Sequence, residues 1–232
     1  MGAHLTIVFD LDGTLVDTAP DLVDTLNVVL AGEGLPAVPF AAARTMIGGG
    51  ARHMIEEGLR AEGRACGADD IERLFRHFIA HYSAHIADRS RPFPGLEAAL
   101  DTLAADGARF AVCTNKLEGL SVQLLSALGL KDRFAAVCGQ DTFGIQKPDP
   151  EILRQTIRRA GGDPERALMV GDSGNDIDTA RAAGVPVVAV DFGYTRVPVR
   201  DLNPDRIISA FDQLPEAVRA LAAESPRVRA RA

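Results

Sequence analysis

Short apolar runs recur along the chain, separated by stretches of helical periodicity. Leu5–Phe9, Phe110–Cys113, Ala135–Cys138, Ala167–Val170 and Pro186–Val190 lack polar alternation. Continuous runs of this length predict parallel strands buried on both faces. Between them, Leu96–Ala105, Leu117–Leu128, Pro150–Ala160 and Asp176–Ala183 read as helices, with Gly107, Gly129, Gly161 and Gly184 placed as C-terminal caps. A strand at Arg206–Ser209 and a helix at Phe211–Ala223 close the series, and the Arg-rich stretch Ser225–Ala232 reads as a frayed tail. The alternation predicts an α/β fold, a doubly wound, Rossmann-like parallel sheet with helices on both faces.

One segment breaks this rhythm. Leu22, Leu26 and Val29 recur at helical spacing, as do Ile55 with Leu59, and Leu74, Phe78 and Tyr82. No strand pattern accompanies them. The pattern predicts a helical bundle over residues 17–91, inserted into a core made of residues 1–16 and 92–232. Its hinges would run through Asp17–Thr18 and through Arg91–Gly95, whose prolines and glycine suit a chain turning between two bodies.

Composition narrows the function. The chain has 232 residues, 47% hydrophobic and 25% charged, which excludes disordered and low-complexity classes. A formal charge of −7 argues against nucleic acid or anionic membranes as partners. Three cysteines without a CxxC pair predict neither a disulfide framework nor a structural zinc. With no signal-peptide pattern and no long apolar run, a soluble cytoplasmic protein is expected, monomer or homodimer. Only Lys116, Lys131 and Lys147 are lysines among 25 basic residues. Each therefore merits reading, because a compact ammonium is not interchangeable with a guanidinium.

In open parallel sheets, ligands bind beyond the carboxyl ends of the strands. Four segments rich in polar groups fall there: Asp10–Thr14 (DLDGT), Thr114–Lys116 (TNK), Lys147–Pro150 (KPDP) and Gly171–Asp176 (GDSGND). Carboxylates converging without His or Cys partners call for a hard cation, Mg²⁺ above all. The Thr114 hydroxyl, the Lys147 ammonium and the backbone N–H groups of Gly13 and Asn115 are donors suited to a phosphate. An Asp can accept a phosphoryl group covalently, and Asp12, two residues beyond Asp10, suits a general acid and base. Plainer readings stand beside these: helix capping for Thr114, Asn115 and Asp176, and a solvated turn for Lys147. His77, His81 and His85 share one helix face but read as structural or solvated.

In this order, FDLDGTLVDT, TNK, KPDP and GDSGND resemble the four motifs of the haloacid dehalogenase superfamily, and the helical insert is similar to the α-helical cap of its first subclass. The resemblance covers nearly the whole chain. It implies Asp10 as nucleophile, Asp12 as general acid and base, and Thr114 and Lys147 as phosphate ligands, beside the Asn115 N–H read above as a donor. It also implies Mg²⁺ held by Asp10, the Asp12 carbonyl and Asp172, with Asp176 behind them or acting through water. The strand order it implies is 5-4-1-2-3. Asp12 excludes the dehalogenases, which lack this second acid, and the transporting ATPases, which carry Thr there.

Phosphomonoester hydrolysis with water as final acceptor is thus the expected activity, on a small-molecule phosphate. Specificity is expected from the insert, where Gly48, Gly49 and Gly50 open a helix and Arg52 adds charge. Such a loop suits a carboxylate; in overall layout, and in its IGGG run, TNK and KPDP, the chain resembles the superfamily members that hydrolyse 2-phosphoglycolate, which implies that small carboxylate-bearing ester as the substrate. Sugar-phosphate or nucleotide phosphatases, a pyrophosphatase and a phosphoglucomutase remain alternatives. A phosphorylated receiver-type signalling module fits poorly, since it needs neither this length nor the insert.

Overall fold

The computed structural model describes residues 4–224. The tail reading of Ser225–Ala232 lies outside the described residues. In chain order the first strand, β1 (Thr6–Phe9), is followed by a two-residue strand, β2 (Val16–Asp17). Four helices come next: α1 (Ala19–Gly32), α2 (Phe40–Arg44), α3 (Gly50–Ala61) and α4 (Ala68–Ala84). The chain returns through β3 (Arg91–Pro92), then alternates α5 (Leu96–Ala105), β4 (Arg109–Cys113), α6 (Glu118–Ala127), β5 (Ala136–Cys138), α7 (Pro150–Arg159), β6 (Ala167–Gly171), α8 (Gly174–Ala183) and β7 (Val187–Val190). It closes with β8 (Arg206–Ile208) and α9 (Leu214–Glu224).

Six strands form one parallel sheet in the order β5-β4-β1-β6-β7-β8. This is the expected order with a sixth strand added at the edge. Because successive strand residues face opposite ways, each strand feeds two cores. Ile7, Phe9, Val112 and Val170 pack on one face against α5, α6 and α9, while Val8, Ala111, Cys113 and Met169 pack on the other against α7 and α8. That is why these strands read as unbroken apolar runs. The glycines expected to end helices do so: Gly107, Gly129, Gly161 and Gly184 all adopt positive φ.

Within the inserted helices the expected faces are buried: Leu22, Leu26 and Val29 of α1, Ile55 and Leu59 of α3, and Leu74, Phe78 and Tyr82 of α4. Where the hinge is expected and no strand was, β2 and β3 pair antiparallel, Val16 with Pro92 and Asp17 with Arg91. Strands of two residues carry no periodicity that a sequence reading can detect. Buried Asp21, in the first turn of α1, reinforces the junction by accepting from the backbone N–H groups of Arg89 and Ser90 and from the Ser90 hydroxyl.

Candidate active site

Register brings the polar segments together. Phe9 pairs with Val112 on one side and Val170 on the other, so β1, β4 and β6 end level. The Asp10 N–H continues the ladder onto the Val170 carbonyl at 2.9 Å. Asp10, Thr114 and Asp172 therefore emerge from the same edge of the sheet, and all three are buried.

Around Asp10 the arrangement is ionic. The Lys147 ammonium lies 2.8 Å from Asp10 Oδ1 and 2.6 Å from Asp176 Oδ1, with its side chain 1% exposed. Asp176 Oδ2 accepts from the Ser173 N–H at 3.0 Å and the Ser173 hydroxyl at 2.7 Å, completing a capping box at the start of α8. Asp172 Oδ1 accepts from the Thr14 hydroxyl at 3.1 Å, and its Oδ2 from the Tyr194 N–H at 2.7 Å. Oxygens of Asp10, Asp172 and Asp176 all lie within 4.8 Å of one another.

Burial pushes the Asp10 carboxyl up to about 7 despite the counter-charge of Lys147. It pushes Asp172 up to about 8, with the charges of Asp176 and Asp10 adding to the effect. Burial acts against the Lys147 ammonium too, but Asp10 and Asp176 outweigh it and the net shift is upward. One ammonium among three carboxylates leaves a deficit of positive charge that a hard divalent cation fits, on oxygen ligands alone. Gly13 is needed for this closeness: at φ +81 it lies where a Cβ would come within 2.5 Å of Asp172 Oδ2.

Asp12 is turned elsewhere. Its Oδ1 accepts from the Thr18 hydroxyl at 2.7 Å and faces the Lys116 ammonium at 3.0 Å. Lys116, whose role the motif reading left open, also stands 4.5 Å from the centre of the Tyr82 ring. Burial works against its charge, yet Asp12 and Tyr82 carry the net shift upward. The buried Thr114 hydroxyl accepts from the Lys116 N–H at 3.2 Å.

Asn115 ties three segments with its side chain. It donates to the carbonyls of Gly48 (3.1 Å) and Lys147 (3.2 Å) and accepts from the Lys147 N–H (2.8 Å). Asn175 donates to the same Gly48 carbonyl at 3.3 Å, so the glycine run rests on the sheet edge. Gly48 and Gly50 line a cavity of about 40 Å³ with Asp10, Asp12, Lys116 and Tyr82. Gly49 and Arg52 line a more open groove beside it. Arg52 pairs with Glu72 at 2.6 Å and stacks on Phe75, so it does not carry its charge to Asp12. On α3 it sits two positions from Gly50, and such residues do not share a face.

Tyr194 and Gly193 escaped the sequence reading. A Cβ on Gly193 would fall 2.2 Å from that of Asp172. The Tyr194 hydroxyl donates to Asp17 of β2 and accepts from the Ala19 N–H at 3.0 Å. The signal was available, since these residues follow β7 as the four motifs follow theirs.

Comparison with known proteins agrees with this geometry. Residues 7–190 match the family model for haloacid dehalogenase-like hydrolases. The chain belongs to the haloacid dehalogenase-like hydrolases. Within that family it is 54% identical over 208 residues to a phosphoglycolate phosphatase of Mesorhizobium japonicum, covering 90% of this chain and 92% of the relative. It is 48% identical to one from Caulobacter vibrioides, over 95% and 93% of the two chains. A crystal structure of a predicted phosphoglycolate phosphatase from Haemophilus somnus 129pt superposes with TM-score 0.85 at 31% identity, covering 94% of this chain and 99% of the other. This haloacid dehalogenase-like hydrolase is a phosphatase. No described helix is long and apolar enough to cross a membrane.

Proposed function

We propose that this phosphatase hydrolyses 2-phosphoglycolate to glycolate and phosphate, with Mg²⁺, through an aspartyl phosphate on Asp10. One observation carries the chemistry: two acids two residues apart hold different partners, Asp10 on Lys147 and Asp12 on Lys116. An Asp10 oxygen attacks phosphorus, forming an acyl phosphate as the bond to the leaving oxygen breaks. Asp12 gives its proton to that oxygen, then takes one from the water that opens the acyl phosphate and restores Asp10. Lys147, the Thr114 hydroxyl and the Asn115 N–H receive the phosphoryl oxygens. Asp10, the Asp12 carbonyl and Asp172 would hold Mg²⁺, with Asp176 in support, and the ion supplies charge compensation for carboxylates and phosphoryl group alike.

Residues 17–91 serve as the cap that encloses the leaving group. Two features support a short one. The cavity at Asp12 is about 40 Å³, whereas one water needs roughly 10–15 Å³ by the same measure. The relatives quoted above are phosphoglycolate phosphatases. Kinetics with Mg²⁺ on a panel of phosphate monoesters tests the reading. The highest kcat/KM is expected for 2-phosphoglycolate, and an equal or higher value for a sugar phosphate or nucleotide overturns the substrate assignment.

A further inference from the structure

Tyr82 is fully buried, yet among the described residues its hydroxyl makes no hydrogen bond of ordinary geometry, the Lys116 ammonium being the polar group that acts on it. A buried hydroxyl without such a bond is costly, and the ring contact with Lys116 would be met equally by Phe, the residue one turn earlier at Phe78. The hydroxyl is therefore surplus to packing. It lines the same cavity as the Lys116 side chain and Asp12, while Leu22, Met54 and Phe78 supply an apolar wall. An ammonium has three donors, and Asp12 engages Lys116 at a single oxygen, 3.0 Å away. Two donors thus converge beside the acid rather than beside the phosphoryl cradle of Lys147.

We propose that Tyr82 and Lys116 form the receptor for the substrate's carboxylate, selecting phosphate esters of short 2-hydroxy acids. The inference rests on Asp12 standing at the leaving oxygen, as proposed above. In such an ester, the carboxylate sits one carbon away from the carbon that bears this oxygen. A leaving oxygen at Asp12 then brings the carboxylate to the ammonium that Asp12 itself touches. The connecting carbon lies against the apolar wall.

The test compares 2-phosphoglycolate with ethyl phosphate, a two-carbon ester without the carboxylate. Tyr82→Phe is expected to lower kcat/KM for 2-phosphoglycolate about tenfold or more, leave ethyl phosphate within about twofold, and change Tm little. Lys116→Gln lowers both esters, because Asp12 loses its partner, but lowers 2-phosphoglycolate further. Calorimetric titration of glycolate into wild type and Tyr82→Phe, with Mg²⁺ and phosphate present, reads the same pair without turnover, and weaker binding to the variant is expected. Equal losses on both esters, no loss on either, or equal glycolate binding overturns the proposal. Wild-type turnover in Asp10→Asn instead overturns the mechanism, while the ester ratio and glycolate titration still decide the receptor.

Discussion

Two buried lysines flank the turn from Asp10 to Asp12, and their surroundings differ in kind. Lys147 stands among carboxylates, touching Asp10 and Asp176 with Asp172 beside them. Lys116 has one carboxylate, Asp12, and otherwise an aromatic face and an apolar wall. The first cluster, fully ionised, is short of positive charge and suits a divalent cation with a phosphoryl group. The second is balanced as built. Once Asp12 carries the proton that a general acid needs, the Lys116 charge is left for an anionic ligand. On the proposed mechanism the same residue type thus serves phosphoryl transfer on one side and leaving-group recognition on the other.

The largest expected effect breaks the first cluster. Asp10→Asn removes the proposed nucleophile while retaining shape, so kcat is expected to fall by about 10⁴-fold or more. Its Tm is not expected to drop, because a buried charge has been removed from a crowded site. Wild-type-like turnover would refute the nucleophile assignment. Lys147→Met is next: it leaves buried carboxylates without their cation, costing about 3–5 kcal/mol in the metal-free protein, with Mg²⁺ recovering part of it. Denaturant titrations with and without Mg²⁺ measure both terms. Should Lys116→Met destabilise the metal-free protein equally, and gain as much from Mg²⁺, the electrostatic division between the two lysines collapses.

The legible part of this molecule is the part governed by repeating patterns. The strands of the sheet are unbroken apolar runs because both faces are covered, and the positions of Leu22, Leu26, Phe78 and Tyr82 follow helical spacing. The motif residues were placed by a rule about strand ends, and β1, β4 and β6 end level as that rule requires. What escaped was tertiary. The β2–β3 ribbon is too short to have a period. Lys116 stood out by the scarcity of lysine, but its contact with Tyr82 joins residues 34 positions apart in sequence. Arg52, read as added charge near the glycine run, lines the open groove there while pairing with Glu72 of α4, a contact 20 positions away in sequence.

A smaller effect sharpens the ionic side through pH. The folded-state values of Asp10 and Asp172 are raised, to about 7 and about 8. Native protein without metal therefore binds more protons than unfolded chain above the ordinary carboxylate range, and its stability falls as pH rises toward about 8. With Mg²⁺ bound to the ionised carboxylates, as proposed, its stabilisation should grow over the same interval and vanish near pH 4. At a hundredfold excess over Kd the gain is about 2.7 kcal/mol, or roughly 5–10 °C for a chain of this size. Thermal melts with Mg²⁺ and with chelator across that range measure it. A shift independent of pH removes the three-carboxylate cluster as the binding site.

The smallest effect concerns how the cap, as proposed, is held over both clusters. Arg196, on the loop after β7, donates to the Thr45 carbonyl at 3.0 Å and to Glu57 at 2.8 Å. Arg44 reaches back to the carbonyls of Phe192 and Gly193 at 3.0 and 2.9 Å, stacking over Tyr194. Because the Arg196 side chain is 53% exposed, its ion pair contributes only about 0.2–1 kcal/mol. Arg196→Gln should therefore raise KM less than about fivefold and leave kcat nearly unchanged, since neither lysine is touched. Its salt dependence is the sharper reading. At about 1 M salt the screening length is roughly 3 Å, so wild type and variant should converge in KM. A gap that persists at high salt means the Thr45 bond or packing, rather than the charge pair, secures this contact.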